Sequence, residues 1–249
     1  MKKTGRNGVN YYPHSNGGGL VAETADVSET AYIGSNAMVY DNAKVSGNAK
    51  ISGYADVWGN ARVSGDATVS GDAKVSGNAD VRGKAKVSGN ADVRGKAKVS
   101  GNAEVWGKAK VHDQAKISGN AKISDNATVS GDAKVSGDAW VYNNAKVFGN
   151  AKVFGNAQVY GHAIVFDDAQ VSGQALIGNN TEVSGQAVIG NNAKVFGNAI
   201  ISGQAVISGR AKVSGDERIS SNIKVTGNSK IFDYRRFKVT GKAIVTANT

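Results

Sequence analysis

A chain of 249 residues with 33 glycines, one proline and no cysteine differs in composition from an ordinary packed domain, whose irregular interior needs side chains of varied bulk. The absence of cysteine excludes a disulfide framework and thiolate metal sites. The formal charge of +10 permits non-specific attraction to nucleic acid or another polyanion, although exposed lysines also keep strand edges from pairing.

Residues 1–24 are irregular and rich in glycine. We expect them to form an N-terminal cap over the first coil of the repeat that follows, whose sheet edges would otherwise be open. The chain begins Met1-Lys2-Lys3 with no apolar segment after it, and no stretch approaches the roughly eighteen apolar residues of a membrane span. We therefore expect no signal peptide, no transmembrane segment, no membrane partner and a cytoplasmic location.

A six-residue repeat with the consensus A-K-V-S-G-N runs from residue 25 to residue 234. Thirty-five rungs can be counted from residue 25, and all of them have Val or Ile at the third position while thirty-one have Ala at the first. The exceptions at the first position are Thr181, Glu217, Ile223 and Ser229. Three of these lie near the end, where a repeat array usually loses its regularity to form a cap.

Each rung predicts a short strand, because apolar residues spaced by two and then four do not follow the period of 3.6 that a helix needs. Alternation places Ala43 and Val45 on the inner face of one rung, and Gly47-Asn48 supplies turn residues that tolerate a positive φ. So short a strand must pair with the equivalent strand of the next coil, in parallel and in register.

Three rungs per coil give the natural closure. Two rungs would flatten the coil, and four would enclose a void that one Val per side could not fill. Thirty-five rungs at three per coil predict an all-β, triangular parallel β-helix, a solenoid of about 12 coils of 18 residues.

The six-residue register shifts by two residues after Ile231. We expect a bulge or short loop through Phe232-Asp233-Tyr234-Arg235-Arg236 before Phe237-Lys238-Val239 and Ala243-Ile244-Val245 resume the pattern. The predicted organisation is therefore a cap at 1–24, the repeat at 25–234, and register-shifted rungs forming a C-terminal cap at 235–249.

The rungs resemble the hexapeptide repeat of left-handed parallel β-helix proteins, in which an aliphatic residue is followed four positions later by a small one. Val45 with Ala49 and Ile177 with Thr181 match that motif. The resemblance implies a left-handed coil, which the spacing alone does not show.

Two stretches are most similar to the acyltransferase branch of that family, Ile177-Gly178-Asn179-Asn180 and Ile189-Gly190-Asn191-Asn192. The opening Ser15-Asn16-Gly17-Gly18-Gly19 and the rungs rich in Asn and Ala more closely resemble uncharacterised hexapeptide-repeat proteins of bacteria and their phages. Those proteins are commonly labelled transferases without a demonstrated reaction.

Aromatic residues replace the outward Ser of the fourth position in five successive rungs and once more later, at Tyr142, Phe148, Phe154, Tyr160, Phe166 and Phe196. In the same region aliphatic residues replace the outward Lys of the second position, at Ile164, Leu176, Val188, Ile200 and Val206. An apolar exterior over residues 140–208 is typical of an interaction surface, and the six aromatic residues are its predicted members. The alternative is that these side chains only cover neighbouring rungs.

Residues one coil apart should stack on the same side, so steps of 18 place Lys98, Lys116, Lys134 and Lys152 in one ladder. Ammonium groups about 4.8 Å apart repel one another unless they are solvated or meet an anion. This ladder is the candidate site for a polyanion. The alternative is a solvated surface on which the lysine stems spread into water.

Acyltransferases of the resembled family use a histidine near a subunit boundary. Of His14, His112 and His162, only His162 with the nearby Asp167-Asp168 resembles a general base oriented by a carboxylate. Thirty-five uninterrupted rungs leave no extruded loop to build a concave site, so the family's catalytic pattern does not carry over. We assign no catalytic residue, with His162 as the one candidate and exposed turn variation as the alternative.

Neither a cofactor nor a metal site is predicted. Three scattered histidines without cysteine cannot form a zinc cage. Carboxylates at turns could offer oxygen ligands to calcium, but they lack the glycine-rich calcium signature, and they include Asp66, Asp72, Asp132 and Asp138.

The sequence thus favours a non-enzymatic structural or interaction protein, bacterial or encoded by a phage. It would be a rigid β-helical rod that oligomerises, or docks a protein partner, through its aromatic C-terminal half. Two alternatives stay open: an acyltransferase-like enzyme, and binding of nucleic acid or another polyanion through the lysine ladder.

Overall fold

The computed structural model describes residues 3–4, 8–232 and 245–246, and these residues form short strands joined by turns, with no helix among them. No candidate membrane-spanning helix is therefore found in this part of the chain. The chain divides into two compact units, Met1–Asn120 and Ala121–Thr249, called unit 1 and unit 2 below. Within each unit the repeat builds three stacks of parallel strands, each strand pairing with the one 18 residues further along.

The three stacks of unit 1 are named after one residue of each. The Leu20 stack contains Lys3–Thr4, Asn10–Pro13, Leu20–Ala22, Met38–Val39, Asp56–Val57, Lys74–Val75, Asp92–Val93 and Lys110–Val111. The Asp26 stack contains Asp26–Val27, Lys44–Val45, Arg62–Val63, Asp80–Val81, Lys98–Val99 and Lys116–Ile117. The Tyr32 stack contains Tyr32–Ile33, Lys50–Ile51, Thr68–Val69, Lys86–Val87 and Glu104–Val105.

Unit 2 is built in the same way. The Lys122 stack contains Lys122–Ile123, Trp140–Val141, Gln158–Val159, Leu176–Ile177, Lys194–Val195, Lys212–Ser214 and Lys230–Phe232. The Thr128 stack contains Thr128–Val129, Lys146–Val147, Ile164–Val165, Glu182–Val183, Ile200–Ile201 and Arg218–Ile219. The Lys134 stack contains Lys134–Val135, Lys152–Val153, Gln170–Val171, Val188–Ile189, Val206–Ile207, Lys224–Val225 and the antiparallel Val245–Thr246.

The backbone of each rung is satisfied by the next coil. Lys44 at a second position donates its N–H to the carbonyl of Ala61 at 2.9 Å, and Ser46 at the fourth position donates to Val63 at 2.9 Å. Because this pattern recurs along both units, strands of two residues persist that would not be stable alone.

The interior consists of the first and third rung positions. Ala73 and Val75 are each 0% exposed, and the same alternation of a small and a medium aliphatic residue fills each coil. At one first position Thr181 replaces Ala, and its Oγ1 donates a hydrogen bond to the backbone carbonyl of Gly178 at 2.7 Å. Glu217 occupies the same kind of position at 5% exposure.

The fifth rung position takes a positive φ, as Gly47 does at 68°. Asp and Asn also occupy this position, because their side chains can bond the next coil. Asp125, with a φ of 58°, accepts a hydrogen bond from the backbone N–H of Asn143 at 3.0 Å. Asp167 accepts one in the same way from the N–H of Gly185 at 3.1 Å.

The predicted all-β parallel β-helix is confirmed, since the thirty-five rungs counted in the sequence correspond to thirty-five strands from Asp26–Val27 to Lys230–Phe232. The third-position residue is buried in each of these except the first, where Val27 is half-buried. Ahead of the array, Asn10–Pro13 pairs antiparallel with Leu20–Ala22. The predicted register shift begins after Ile231, and apart from Phe232 it lies outside the described residues, as does most of the predicted C-terminal cap.

Replacing Gly89 by Ala should destabilise the fold. Gly89 has a φ of 66°, and a Cβ there would lie 3.0 Å from the backbone N and O of Gly107. A non-glycine residue in this conformation costs about 1–2 kcal/mol, so we expect a lower thermal midpoint by circular dichroism. Gly89→Asn is the matched control and should lose less, because its side chain can accept the N–H of Gly107. Equal midpoints for wild type and the Ala variant would contradict this account of the turn.

Candidate interaction surfaces

The six predicted aromatic residues all lie at the fourth rung position in unit 2, but they do not form one exposed patch. Tyr142 stacks on Tyr160 with ring centroids 5.4 Å apart, and Phe148 stacks on Phe166 at 5.2 Å. Each pair joins neighbouring coils, and Tyr142, Tyr160 and Phe166 are half-buried. Phe148 and Phe154 remain 36% and 39% exposed. The aromatic residues therefore partly cover neighbouring rungs and partly face solvent.

Charged and aliphatic residues alternate along the outside of the Thr128 stack. The second-position residues that pair from coil to coil there are Lys146, Ile164, Glu182, Ile200 and Arg218. The stacked Phe148 and Phe166 follow the strands of Lys146 and Ile164. We call these seven residues the Ile164 side. Its aliphatic residues are half-buried, whereas Lys146 and Arg218 are exposed.

The outside of the Lys122 stack carries two depressions. One, of about 620 Å³, lies between the second-position row and the preceding turns, and it is lined by Asn156, Gln158, Gln174, Leu176, Asn192, Lys194, Arg210 and Lys212. The other, of about 350 Å³, lies between the same row and the residues that follow it, and it is lined by Tyr160, Leu176, Asn179, Lys194, Phe196 and Lys212. We call the two depressions together the Leu176 groove.

Gly178 shapes the second depression. It occupies the fourth position between Tyr160 and Phe196 on successive coils, where a Cβ would lie 2.2 Å from Cζ of Tyr160. The Tyr160 ring therefore lies over this glycine. Phe196, the last of the predicted aromatic residues, is half-buried and lines the opposite end of the depression.

Two pairs of the predicted lysine ladder lie within the units. Lys98 pairs with Lys116 in the Asp26 stack of unit 1, and Lys134 pairs with Lys152 in the Lys134 stack of unit 2. All four side chains are exposed. In unit 1 the next residue of the row is Asp80, so the positive run is broken by a carboxylate.

A second lysine row was not singled out from the sequence. Lys194, Lys212 and Lys230 pair on successive coils of the Lys122 stack. The same step of 18 that identified the first ladder would have found it. Lys194 and Lys212 also line the Leu176 groove, together with Arg210.

The histidines do not assemble the predicted general-base arrangement. His162 lies exposed at the turn between the Lys122 and Thr128 stacks, while Asp167 and Asp168 lie at the next turn. In the described residues no hydrogen bond or ion pair joins His162 to either carboxylate, and Asp168 accepts a bond from Asn150 instead. A His–carboxylate contact does occur in unit 1, where Nδ1 of His112 lies 3.1 Å from the carboxylate of Asp113.

Carboxylates at the turns form hydrogen bonds between neighbouring coils of the solenoid. Asp66 accepts a hydrogen bond from Nδ2 of Asn48 at 3.2 Å, one coil away. Within the described ranges, no group of three His, Asp or Glu side chains is arranged to hold a metal ion.

Unit 1 has aromatic residues that the sequence analysis did not select. Tyr40 stacks on Trp58 with centroids 5.7 Å apart and ring planes within 2°. Burial, followed by the carboxylates of Asp56 and Asp41, raises the pKa of Tyr40 to about 12. Tyr54, at a turn, is 67% exposed. Counting aromatic residues by rung position from residue 25 onward would have identified this second set.

Comparisons with known proteins agree with the repeat. A family model described as the YdcK Beta solenoid repeat matches residues 61–77, 121–137 and 157–173. No curated protein matches the sequence. Similar solved structures include the UDP-N-acetylglucosamine acyltransferase of Arabidopsis, at 14% identity over 78% of this chain and 71% of that chain, with a TM-score of 0.42.

Two bacterial structures are also similar to this chain, again at low sequence identity. The UDP-N-acetylglucosamine O-acyltransferase (LpxA) of Moraxella catarrhalis is 13% identical over 84% of this chain and 71% of that chain, with a TM-score of 0.33. The UDP-N-acetylglucosamine acyltransferase of Campylobacter jejuni is 18% identical over the same shares, with a TM-score of 0.28. Likenesses this distant carry no inference about activity.

The raised pKa of Tyr40 predicts a loss of stability in alkali. Its folded pKa of about 12 exceeds the ordinary value of 10.0, so the stabilisation is complete below pH 10 and is lost as the pH rises towards 12. Over this range the thermal midpoint of the wild type should fall more steeply than that of Tyr40→Phe. Burial also raises the pKa of Tyr142, but this residue is present in both the wild type and Tyr40→Phe, so its effect cancels in the comparison. Parallel curves for the two proteins would show that Tyr40 has no such role.

Proposed function

We propose that this chain is a non-enzymatic interaction protein that self-associates as a twofold dimer through the Ile164 side of unit 2. The observation that carries the proposal is the order of the second-position row, in which Lys146 and Glu182 flank Ile164 at equal distances of one coil. This order makes the surface complementary to a second copy of itself.

The complementarity follows from symmetry. A twofold interface presents the same surface on both copies, so each residue must meet a suitable partner across the axis. An axis through Ile164 places the two Ile164 side chains together. It also places Lys146 of each copy opposite Glu182 of the other, because successive coils are about 4.8 Å apart on both. Opposite charges at fixed positions then set the register of the dimer.

The phenylalanine pair adds apolar area beside this row. Phe148 is 36% exposed and stacks on Phe166, which fixes its ring in place before association. A preformed aromatic surface loses little side-chain entropy on binding. Unit 1 also has an aromatic pair at fourth positions, Tyr40 on Trp58, but the second-position row beside it runs Met38, Asp56, Lys74 and does not place opposite charges on either side of an aliphatic residue.

The acyl-transfer alternative has less support. A general base needs a carboxylate or similar group to orient it, and His162 has no such contact among the described residues. His162 also lines neither depression of the Leu176 groove.

Charge reversal tests the dimer. By analytical ultracentrifugation the wild type should approach twice the chain mass of 25.6 kDa. Glu182→Lys and Lys146→Glu should each weaken dimerisation by about tenfold or more, because each places like charges opposite one another. The double variant should recover dimerisation, since it restores opposite charges with the signs exchanged.

Lys152→Glu is the matched control, because it makes the same charge change in the neighbouring rung but on the Lys134 stack. It should leave the mass unchanged. A wild type that stays monomeric, or a double variant no better than the single ones, would refute the proposed interface.

A further inference from the structure

The Leu176 groove lies on a different stack from the proposed dimer surface, and its positive charge is not neutralised within the described chain. Lys194, Arg210 and Lys212 line it, and no carboxylate does. In the residues that the structure describes, none of these three forms an ion pair. Lys230 extends the row by one further coil. Like charges on adjacent strands destabilise the fold, so an anion in the groove would relieve their repulsion.

Asn156, Gln174 and Asn192 lie at equivalent turns of three successive coils and form one wall of the larger depression, facing the row that contains a fourth amide, Gln158, together with Lys194 and Lys212. An amide can donate and accept hydrogen bonds at once, and a sugar hydroxyl has the same double capacity. The wall therefore suits a ligand with many hydroxyl groups.

Leu176 and Phe196 supply an apolar floor and end to the smaller depression. Leu176 is half-buried and interrupts the polar row between Gln158 and Lys194. The apolar face of a pyranose ring can pack on such side chains while its hydroxyl and carboxylate groups meet the amides and cations. A few convergent polar groups around apolar contacts are the usual composition of a ligand site.

We propose that the Leu176 groove binds an acidic oligosaccharide, a chain of sugars that carry carboxylate groups. The ligand would run along the stack, with its carboxylates on Lys194, Lys212 and Arg210. The coil repeat of about 4.8 Å is close to the length of one sugar unit in an extended chain, so successive coils can contact successive sugars.

A single-stranded nucleic acid fits the groove less well. Sites for it rely on aromatic rings with free faces on which bases stack. One face of Tyr160 is occupied by Tyr142, and the ring also lies over Gly178. The phosphates of a nucleic acid accept hydrogen bonds without donating them, whereas the hydroxyl groups of a sugar can both donate to and accept from the four amides.

Calorimetric titration with oligogalacturonate, at low and at moderate salt, tests the proposal on the full chain. Wild type should bind. Lys194→Gln with Lys212→Gln should lose about tenfold or more in affinity, as expected when charged hydrogen bonds are removed. Lys134→Gln with Lys152→Gln is the matched control: it removes the same charge from two lysines that also pair one coil apart in unit 2, and should retain affinity within about twofold.

Substitution of the amide side chains distinguishes recognition of sugar hydroxyl groups from simple charge attraction. Gln174→Ala with Asn192→Ala keeps the net charge, and it should weaken oligogalacturonate binding several-fold while weakening the binding of oligodeoxythymidylate less. Circular dichroism should show each variant folded. The proposal is overturned by no binding at low salt, by equal losses in the two lysine variants, or by tighter binding of oligodeoxythymidylate than of oligogalacturonate.

Discussion

The structure depends on the pairing of each coil's backbone with the next coil, 18 residues further along. That pairing leaves an interior wide enough for Ala and Val or Ile at the two inward positions, as the 0% exposure of Ala73 and Val75 illustrates. A larger residue would overpack the coil and a smaller one would leave a cavity. The interior therefore carries almost no functional information. What distinguishes one coil from another lies in the outward second and fourth positions and in the turns.

In-register stacking also decides which outward residues are favourable. An outward side chain always has neighbours 18 residues away, so identical amides can bond as Asn102 does to Asn120, and identical rings can stack as Phe148 and Phe166 do. Identical charges gain nothing from this arrangement and repel one another. A row of cations such as Lys194, Lys212 and Lys230 is thus unfavourable for the fold itself, which gives it more weight as a binding surface than an isolated lysine has.

The six-residue period was sufficient to predict the fold, because every third-position residue after Val27 has the burial that alternation requires. Steps of 18 also predicted which lysines pair. The orientation of the outward side chains was not predictable in this way. The stacking of Tyr142 on Tyr160, and the position of the Tyr160 ring over Gly178, depend on the direction in which each ring is tilted between coils. The separation of His162 from Asp167 could have been anticipated, since five residues along the chain reach the next turn of the coil.

Two sides of unit 2 differ in their charge and so favour different kinds of partner. The Ile164 side mixes both signs of charge around an apolar centre, which favours a copy of itself, whereas the Leu176 groove has one sign only and repels a copy of itself. Because the two surfaces belong to different stacks, dimerisation through one does not require residues of the other. A twofold dimer would carry two grooves, and a polymer of acidic sugars long enough to reach both would gain affinity from the raised effective concentration of the second groove. Dimerisation would then strengthen polymer binding without any new contact in the groove itself.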